Sequence, residues 1–573
     1  MRRGIRRIPA LWRASRLARR WYHARRDAYP DWRPVLAADA ASWESARRAA
    51  QGGPRVLMAT AIGSYAHATT LESALAAALT LRGAEVHALL CDGAMTACAE
   101  CEASLYPNLA RFVERGPAGD LCRDCTWPSE KVYAQLGLKV HRYGDWLTAE
   151  DRARARDVAR TTPLDAIERV VVDGLAVGEH AHAGALRFFA TGSLDREPYA
   201  EPVLRRYLES ALLTAFATRR LVRGVGFESA VFTHGIYVPW GIVGEVARQE
   251  QVRVSTWNVA YRKRRFIFSH GDTYHHTLMT EPREHWEGLE LSPAQERELL
   301  QYLSSRREGL FDWIVFHRPS DGQGQGGELA AQVGLDPSKP AIGLLTNVSW
   351  DAQLHYPANA FPNMLEWLVQ TCEYFAKRPD LQLLIRVHPA EISGFPPSRQ
   401  PILRELAARI PVLAPNIVVV PPESGLSTYG LMGLCNAAII YGTKMGVELT
   451  SVGMPVIVAG EAWIRNKGIT HDASSPEEYF RLLDRLPFAE RLEPGLLARA
   501  RRYAYHFFFN RMIPLPFIEP KAGYPIYRLK LERLQHLLPG ESAGLDTICD
   551  GIMGRAPFVL RDKGVRPTEF AAR

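Results

Sequence analysis

The chain has 573 residues and a formal net charge of +8, and 47% of its residues are hydrophobic and 23% are charged. This composition is typical of a globular protein with a sizeable core, and it excludes extensive disorder. No uninterrupted apolar run approaches the roughly 20 residues that a membrane-spanning helix needs. The basic start also lacks the apolar block and small-residue cleavage site of a secretory signal, so we expect a cytoplasmic protein.

The excess of positive charge is concentrated in residues 1–26, which hold ten arginines and no acidic residue. The apolar residues of this segment fall on one face of a helix and several arginines on another, with Pro9 near the helix start. Such an amphipathic segment, with residues 1–50 as arm and connector, predicts binding to an anionic membrane surface. A solvated tail and a nucleic-acid arm are the alternatives. Nucleic acid is the least favoured partner, because no basic stripe interleaved with aromatic residues follows.

Residues 51–320 are predicted to form a first α/β domain. Buried apolar runs alternate there with helical segments, which is the βαβ pattern of a parallel, Rossmann-like sheet. Residues 257–276 are instead predicted to form a region of exposed polar and aromatic side chains. The predicted elements of this half are strands at 55–61, 86–91 and 229–232 and helices at 66–82 and 200–223.

Five of the eight cysteines fall within an insertion at 91–128. Cys98 with Cys101 and Cys122 with Cys125 form two CxxC pairs separated by twenty residues, a spacing typical of a four-thiolate zinc site. A structural zinc would stabilise an insertion that has few apolar residues of its own. An iron–sulfur cluster, a redox dithiol and thiols that bind no metal are the alternatives. Disulfides are not expected in a chain without a secretory signal.

Residues 328–480 are predicted to form a second α/β domain, after the Gly/Gln-rich segment 322–327. The predicted elements of this half are strands at 340–345, 381–387, 417–420, 437–441 and 455–458 and helices at 361–377 and 427–435. The remaining residues, 481–573, are predicted to form a helical, aromatic tail that packs across both halves. The fold class is therefore α/β, with two consecutive Rossmann-like domains and a cleft between them.

The most informative stretch is 437–460, where an apolar run ends at Gly442 and a helix begins at once. The turn after a strand of a parallel sheet lies at the crevice where ligands bind, and N–H groups of the helix start attract anions there. Gly442 lets the backbone approach a ligand, Thr443 supplies a hydroxyl, and Lys444 supplies a positive charge. Glu448 lies one turn further on. The pattern predicts a phosphate-and-sugar site, with a capping turn that binds nothing as the alternative.

Known phosphate loops do not explain this stretch. It contains no GxxxxGK[ST] and no GxGxxG after a strand, so a P-loop NTPase and a dinucleotide-dependent oxidoreductase are not favoured. Two other segments place polar groups at the same predicted sheet edge. His388 directly follows the strand at 381–387, and Ser427 and Thr428 begin a helix.

Taken together, the motifs RVHP, LSTYGLM, YGTKMGVE and GMPVIVAG resemble the C-terminal half of GT-B glycosyltransferases of the capsule polysaccharide biosynthesis type. These enzymes are related in pattern to keto-deoxyoctulosonate (Kdo) transferases. The resemblance is clear over 340–480 and weaker over 54–300. The cysteine insertion is not part of the general family pattern.

The resemblance implies a GT-B fold, in which the C-terminal domain holds a nucleotide sugar and the N-terminal domain presents the acceptor. The expected reaction is transfer of that sugar to a lipid-linked or polysaccharide acceptor in bacterial surface polysaccharide synthesis. The resemblance also implies nucleotide contacts for His388, Ser427 and Thr428, and phosphate and sugar contacts for Thr443, Lys444 and Glu448.

Sugar transfer needs a group that stabilises the leaving phosphate and, if the anomeric configuration inverts, a base for the acceptor hydroxyl. The candidate catalytic residues are His234, Glu179 and, across the cleft, Asp351. Of these, His234 has the best local context, because a glycine-bounded turn after a strand holds it at the cleft. A nucleotide-sugar 2-epimerase of the same fold and a non-catalytic, zinc-stapled subunit of a polysaccharide assembly complex are the alternative functions.

Overall fold

The computed structural model describes residues 28–560, except 107, 118, 307–308, 310, 314–325, 353, 355 and 395. The predicted basic arm at 1–26 therefore lies outside the described residues, as do most of the Gly/Gln-rich segment and residues 561–573. Two large sheets, of seven and six strands, organise the described part of the chain. None of the helices in that part is long and apolar enough to cross a membrane.

The first half of the chain supplies six strands of the seven-stranded sheet. Their spatial order is β6-β5-β4-β1-β2-β3. Strands β1 to β5 are parallel to one another, and β6 is antiparallel to β5. This is the strand order of a Rossmann-like sheet with an added edge. The bounds are β1 Arg55–Ala61, β2 Glu85–Leu90, β3 Lys139–Arg142, β4 Ser229–Thr233, β5 Arg253–Val259 and β6 Arg265–His270.

The sequence-based strands of this half are confirmed to within a residue, but the prediction for 257–276 is wrong. That region forms the end of β5 and all of β6, which pair from Ser255 with His270 to Val259 with Phe266. Its aromatic residues Trp257, Phe266 and Phe268 are buried. Aromatic residues on two paired strands pack into the core once the strands are joined, a long-range effect that local pattern does not show.

Helices cover both faces of this sheet. Alternate β1 side chains enter different cores: Leu57 and Ala59 lie in one buried cluster, and Val56 and Met58 in the other. Burial on both faces explains why the strands appear as continuous apolar runs. The helices are α1 Arg33–Ala38, α2 Ala40–Ala49, α3 Ala66–Thr80, α4 Leu109–Arg115, α5 Gly119–Gln135, α6 Ala149–Thr161, α7 Val177–Phe189, α8 Ala200–Val225, α9 Trp240–Gln249, α10 Tyr274–Thr277 and α11 Pro293–Ser305.

The second half forms a parallel six-stranded sheet in the order β12-β11-β10-β7-β8-β9. It repeats the Rossmann-like order and is also buried on both faces. The strands are β7 Ala341–Leu345, β8 Gln382–Arg386, β9 Ile417–Val420, β10 Ala437–Ile440, β11 Val456–Val458 and β12 His471–Asp472. The helices are α12 Gly326–Val333, α13 Met364–Ala376, α14 Ala390–Ser393, α15 Ile402–Arg409, α16 Thr428–Gly433, α17 Met445–Ser451 and α18 Pro476–Leu483.

The tail is not wholly helical, contrary to the sequence-based expectation. It contains α19 Pro494–Tyr505 and α20 Ala543–Met553, but also the short strands β13 Ile513–Pro514, β14 Ile518–Pro520 and β15 Tyr527–Leu529. Strand β13 pairs with β6 and so completes the first sheet, while α19 packs against α17 of the second half. The tail therefore contacts both halves of the chain.

Candidate functional site

A cavity of about 1870 Å³ lies between the two sheets and is lined by residues of both. On the side of the first sheet, its walls come from loops that follow β1, β4 and β5. On the side of the second sheet, they come from loops that follow β7, β8, β10 and β11. All these loops leave the carboxyl ends of parallel strands, where α/β proteins bind their ligands.

Most of the predicted site residues meet in this cavity. Those on its walls are His234, Asp351, His388, Thr428, Gly442, Thr443 and Lys444. Three predicted residues, Glu179, Ser427 and Glu448, are not among the described residues that line it.

Glu448 lies behind the wall rather than on it, with its carboxylate turned towards other side chains instead of the cavity. Its side chain is 3% exposed, and its carboxylate accepts hydrogen bonds from Lys444 Nζ at 2.6 Å, Tyr429 Oη at 2.6 Å and Arg306 Nε at 3.1 Å. Burial opposes ionisation of this carboxyl, but the Arg306 and Lys444 cations outweigh it and lower its pKa to about 2. Glu448 is therefore ionised and holds two cations in place.

The cations of this network reach the cavity. Lys444 and Arg306 both line it, and the Lys444 ammonium also lies 4.7 Å from the centre of the Tyr261 ring. Arg306 forms a second ion pair with Asp312, and that carboxylate accepts a hydrogen bond from Tyr302 Oη. A lysine with a buried carboxylate partner and an aromatic ring beside it has little freedom to move, which favours a preorganised cationic wall.

Arg386 adds a third cation, from the end of β8. Its guanidinium is buried and donates to the carbonyl oxygens of Pro421 and Ser424, and its Nε lies 3.4 Å from Thr428 Oγ1. Arg386 and Thr428 both line the cavity. A guanidinium and a hydroxyl therefore line the same cavity as Lys444, a combination that suits phosphate oxygens.

His388 lies on the same wall and is neutral. Burial, together with the nearby Lys444 and Arg386 charges, lowers the pKa of His388 to about 4. Its Nδ1 accepts a hydrogen bond from Ala390 N at 3.1 Å, and its own backbone N–H donates to Thr346 Oγ1 at 3.0 Å. In the neutral ring the proton must then be on Nε2.

Ser427 has a local role. Its hydroxyl accepts a hydrogen bond from Gly430 N at 3.4 Å and caps α16. Thr443 Oγ1 likewise accepts from Met445 N at 3.3 Å, so part of the alternative capping interpretation applies to this turn. The helix that follows, α17, has only seven residues. Side-chain cations, more than a long helix dipole, therefore supply the positive charge of this wall.

Gly442 makes the close approach that the sequence predicts. A Cβ atom at this position would lie 3.1 Å from Asn347 Nδ2 and 3.4 Å from the carbonyl oxygen of Glu461. A larger residue would push the Asn347 side chain, which also lines the cavity, out of place. The absence of a side chain here thus preserves the shape of the wall.

The opposite wall contains His234, which follows β4 in a left-handed conformation with φ of +64°. Burial, and to a lesser extent Arg187, lowers the pKa of His234 to about 3, so its ring is neutral. The ring centre lies 4.9 Å from that of Tyr237. Tyr237 Oη donates to Asp351 Oδ1 at 2.9 Å and accepts from Ala352 N at 2.9 Å. The two candidate catalytic residues from different halves are thereby connected through one tyrosine.

Glu179 does not belong to this constellation. It lies half-buried in the first turn of α7, and the described residues that line the cavity do not include it. The local pattern placed it near a loop, and its charge acts on His276, the neighbour of the cavity residue His275.

The four predicted zinc ligands do not converge as one set. Cys98 Sγ and Cys101 Sγ are 3.9 Å apart, close to the ~3.8 Å edge of a tetrahedron whose Zn–S bonds are about 2.3 Å. Cys125 Sγ instead accepts a hydrogen bond from Ser64 N at 3.2 Å, and burial raises its pKa to about 12. Cys122 lies on α5, one turn before Cys125. Among the described residues, no group of three or more His, Cys, Asp or Glu side chains is arranged to hold a metal.

Several cavity residues were not predicted from the sequence. Arg386 had a detectable signal, since it is a basic residue at the end of an otherwise apolar strand. Tyr261, His275 and Arg306 had none, because they lie outside recognisable motifs and reach the cavity only through the tertiary fold. Trp463 joins them, from the loop after β11.

Neither a comparison with protein-family models nor one with curated proteins finds a match to this chain. Several solved structures are similar. A beta Kdo 2,4 transferase, KpsC of Thermosulfurimonas dismutans, is 15% identical, with 48% of this chain and 80% of that chain covered and a TM-score of 0.32. The UDP-GlcNAc 2-epimerase of Neisseria meningitidis is 9% identical, with 79% and 95% covered and a TM-score of 0.24. The spinosyn rhamnosyltransferase SpnG is 12% identical, with 79% and 95% covered and a TM-score of 0.23.

Kdo transferases are among the proteins to which this chain is similar. Similarity at this level includes transferases and epimerases alike.

Proposed function

We propose that this chain is a GT-B glycosyltransferase whose two Rossmann-like domains bind a nucleotide sugar and an acceptor in the cavity between them. One observation carries the proposal. Three cationic side chains, Lys444, Arg306 and Arg386, line one wall of that cavity, while His234 lies on the facing wall and Asp351, from the loop after β7, reaches Tyr237 on that wall. A phosphate-bearing donor suits the first wall, and a sugar hydroxyl suits the second.

The cationic wall would supply the electrostatic part of the reaction. When the bond between a sugar and its nucleotide breaks, negative charge builds up on the leaving phosphate. Cations and hydrogen-bond donors that are already in place stabilise that charge most where water is excluded. Lys444, which Glu448 holds in position, and Arg386 with Thr428 are the groups that would do so. His388 would donate from Nε2 to the nucleotide part of the donor.

The facing wall would receive the acceptor. Asp351 is an acidic group within hydrogen-bond distance of Tyr237, and His234 adds a neutral imidazole beside the same tyrosine. Either could accept a proton from a bound hydroxyl. The acceptor would be a lipid-linked sugar or a polysaccharide end, in bacterial surface polysaccharide synthesis.

Membrane attachment is a separate part of the proposal. Residues 1–26, with ten arginines and no acid, would keep the enzyme at an anionic membrane surface, near a lipid-linked acceptor. Co-sedimentation with anionic vesicles tests this. Deletion of residues 1–26 should abolish binding, whereas binding by the deleted protein would contradict the assignment.

Zinc in the cysteine insertion is a further part of the proposal. The sulfur atoms of Cys98 and Cys101 have the separation of two ligands of one metal ion, but Cys122 and Cys125 would have to move to complete the site. A bound zinc would cross-link the insertion and take no part in sugar transfer. Elemental analysis should find one zinc per chain, and replacement of Cys98 with serine should remove it. Iron in place of zinc would indicate a cluster instead.

The decisive experiment measures nucleotide release from UDP-, GDP- and CMP-sugars by the purified protein. Loss of a hydrogen-bonded charge costs about 1.5–3 kcal/mol, so Lys444→Ala should raise the KM for the donor by roughly 10- to 100-fold. Lys377→Ala, at an exposed lysine on the same half, is the matched control and should behave like the wild type. Equal activity of all three proteins would refute the site.

Product analysis distinguishes transfer from the epimerase alternative. An epimerase would produce a new nucleotide sugar without an acceptor, whereas a transferase releases free nucleotide and forms a glycoside. A folded protein that binds none of these donors in calorimetry would instead support a non-catalytic subunit.

A further inference from the structure

A second histidine faces His234 across the acceptor side of the cavity. His275, on the short helix α10, lines the same cavity, and the centres of the two imidazole rings are 5.7 Å apart at an angle of 32°. Trp463, from the second half of the chain, lies 5.9 Å from the His275 ring. His275 therefore stands where the two halves meet, although no sequence motif surrounds it.

Neither imidazole is committed to another part of the protein. His234 Nδ1 is buried and has no hydrogen-bond partner among the residues that the structure describes. The His275 side chain likewise makes ring contacts but no hydrogen bond within that part of the chain. The adjacent His276 is different, because its Nδ1 pairs with Asp272 Oδ2 at 2.8 Å. Two neutral imidazoles with open nitrogen atoms, side by side in a ligand cavity, are suited to hold a hydroxyl group.

The surroundings of His275 keep its imidazole neutral before a donor binds. The titratable groups that act on it are His234, His276, Asp272 and Asp351. Burial and His234 lower its pKa to about 3, so the ring starts in the neutral, proton-accepting form, while Asp351 acts in the opposite direction. A donor phosphate on the Lys444 wall would add negative charge to the same cavity. Negative charge nearby favours the imidazolium form and so raises the basicity of the ring.

We infer that His275 is the base that removes the proton from the acceptor hydroxyl, with His234 orienting that hydroxyl; this rests on the proposed glycosyl transfer. The acceptor oxygen forms a bond to the anomeric carbon of the donor, and the bond from that carbon to the phosphate oxygen breaks. The electron pair of the broken bond stays on the phosphate, next to Lys444. The hydroxyl proton passes to a ring nitrogen of His275 and is released to water after the products leave.

This assignment makes His275 a catalytic residue and gives Asp351 the role of stabilising its imidazolium form. The assignment also indicates which group of the acceptor reacts, an alcohol hydroxyl of a sugar. A neutral imidazole accepts a hydrogen bond from such a hydroxyl, and neither group needs a charged partner. A base of this kind contributes roughly 100- to 10,000-fold to a rate.

The test compares His275→Gln with His276→Gln on whichever UDP-, GDP- or CMP-sugar the wild-type protein turns over. His276 is the matched control, since it is the next residue of the same helix and the described residues that line the cavity do not include it. We expect kcat to fall at least about 100-fold in His275→Gln, with the donor KM within threefold of wild type and the acidic limb of the kcat pH profile lost. His276→Gln should keep kcat within threefold.

A second variant separates base catalysis from a structural role. In His275→Ala, imidazole added to the assay should restore part of the lost activity, because it can occupy the space of the missing ring and accept the proton. Imidazole should not help Lys444→Ala. Failure of rescue, equal losses in His275→Gln and His276→Gln, or a His275→Gln enzyme within threefold of wild type would each overturn the inference.

These outcomes separate this inference from the proposed function. If the wild-type protein releases nucleotide from a donor and His275→Gln does so equally well, only the role of His275 is wrong. If the wild-type protein turns over none of the donors, the proposed transfer and the inference fail together.

Discussion

Replacement of Glu448 with glutamine should destabilise the second half of the protein and loosen its cationic wall. In the native structure this carboxylate receives Lys444 Nζ, Arg306 Nε and Tyr429 Oη, and it is 3% exposed. Glutamine has nearly the same shape, so little packing is lost. The change removes one negative charge and leaves two buried cations to share the carboxylate of Asp312.

The size of the effect follows from two independent arguments. Removal of one partner from a buried ion pair costs about 3–5 kcal/mol. The pKa of Glu448 is lowered from 4.5 to about 2, and at 1.36 kcal/mol for each pKa unit this corresponds to roughly 3 kcal/mol of stabilisation by the ionised form. We therefore expect the Glu448→Gln protein to lose about 3 kcal/mol of unfolding free energy at pH 7.

The pH dependence provides a sharper check. Because the folded-state pKa is lower than the unfolded one, the contribution of Glu448 is complete above about pH 4.5 and is lost as the pH falls towards 2. The difference between wild type and Glu448→Gln should accordingly shrink below pH 4. Urea unfolding at pH 7 and pH 3, followed by tryptophan fluorescence, measures both values.

The control is Glu201→Gln, in which an exposed carboxylate loses its i,i+4 ion pair with the half-buried Arg205 at 2.9 Å. Exposed pairs contribute at most about 1 kcal/mol, so this variant should stay within that range at both pH values. The reasoning about Glu448 would be refuted by a loss below about 1 kcal/mol at pH 7, or by a difference that does not depend on pH.

Three further outcomes follow from the structure. Burial raises the pKa of Glu72 to about 8, so the folded chain keeps a proton that the unfolded chain loses. Stability should therefore fall as pH rises from about 4.5 to 8. Glu72→Gln should remove this decline, measured as the melting temperature. Gln400 Oε1 accepts hydrogen bonds from residues 191–193 at 2.9–3.1 Å and links the two halves. Gln400→Ala should speed amide exchange at 192–193 by about tenfold, the equivalent of one such bond. Tyr237→Phe leaves Asp351 without its hydroxyl partner, and kcat/KM should fall at least about tenfold, with stability lowered by about 1–3 kcal/mol in thermal unfolding.

The parallel strands that are buried on both faces, such as β1, β7 and β10, were predictable, whereas β3, β5 and β12, which carry several polar residues, were not. A strand in that position consists almost entirely of apolar residues, so runs such as 55–61 and 417–420 stand out against the helices between them. The edge strands were not predictable in the same way. Strand β6 belongs to an antiparallel pair, and β13 has only two residues, so both depend on partners distant in the chain.

The residues of the candidate site also differ in whether the sequence alone could predict their positions. His388, Thr443 and Lys444 could be found because each follows a recognisable strand, and the carboxyl ends of parallel strands meet at one edge. The position of Glu448 behind the wall has a physical reason. Its i,i+4 spacing from Lys444 places both side chains on one side of α17, but Arg306, 142 residues earlier in the chain, takes up its other oxygen.

The sequence by itself determined the class of fold, the two successive Rossmann-like sheets and the loops that carry Lys444 and His388, because hydrophobic periodicity and βα turns are local properties. Only the tertiary structure decided which charged groups face the cavity and which are buried behind its wall. The burial of a side chain depends on which distant segments of the chain pack against it. The meeting of His275 with His234, and of Tyr237 with Asp351, is of this kind, since each pair joins parts of the chain that no local pattern connects.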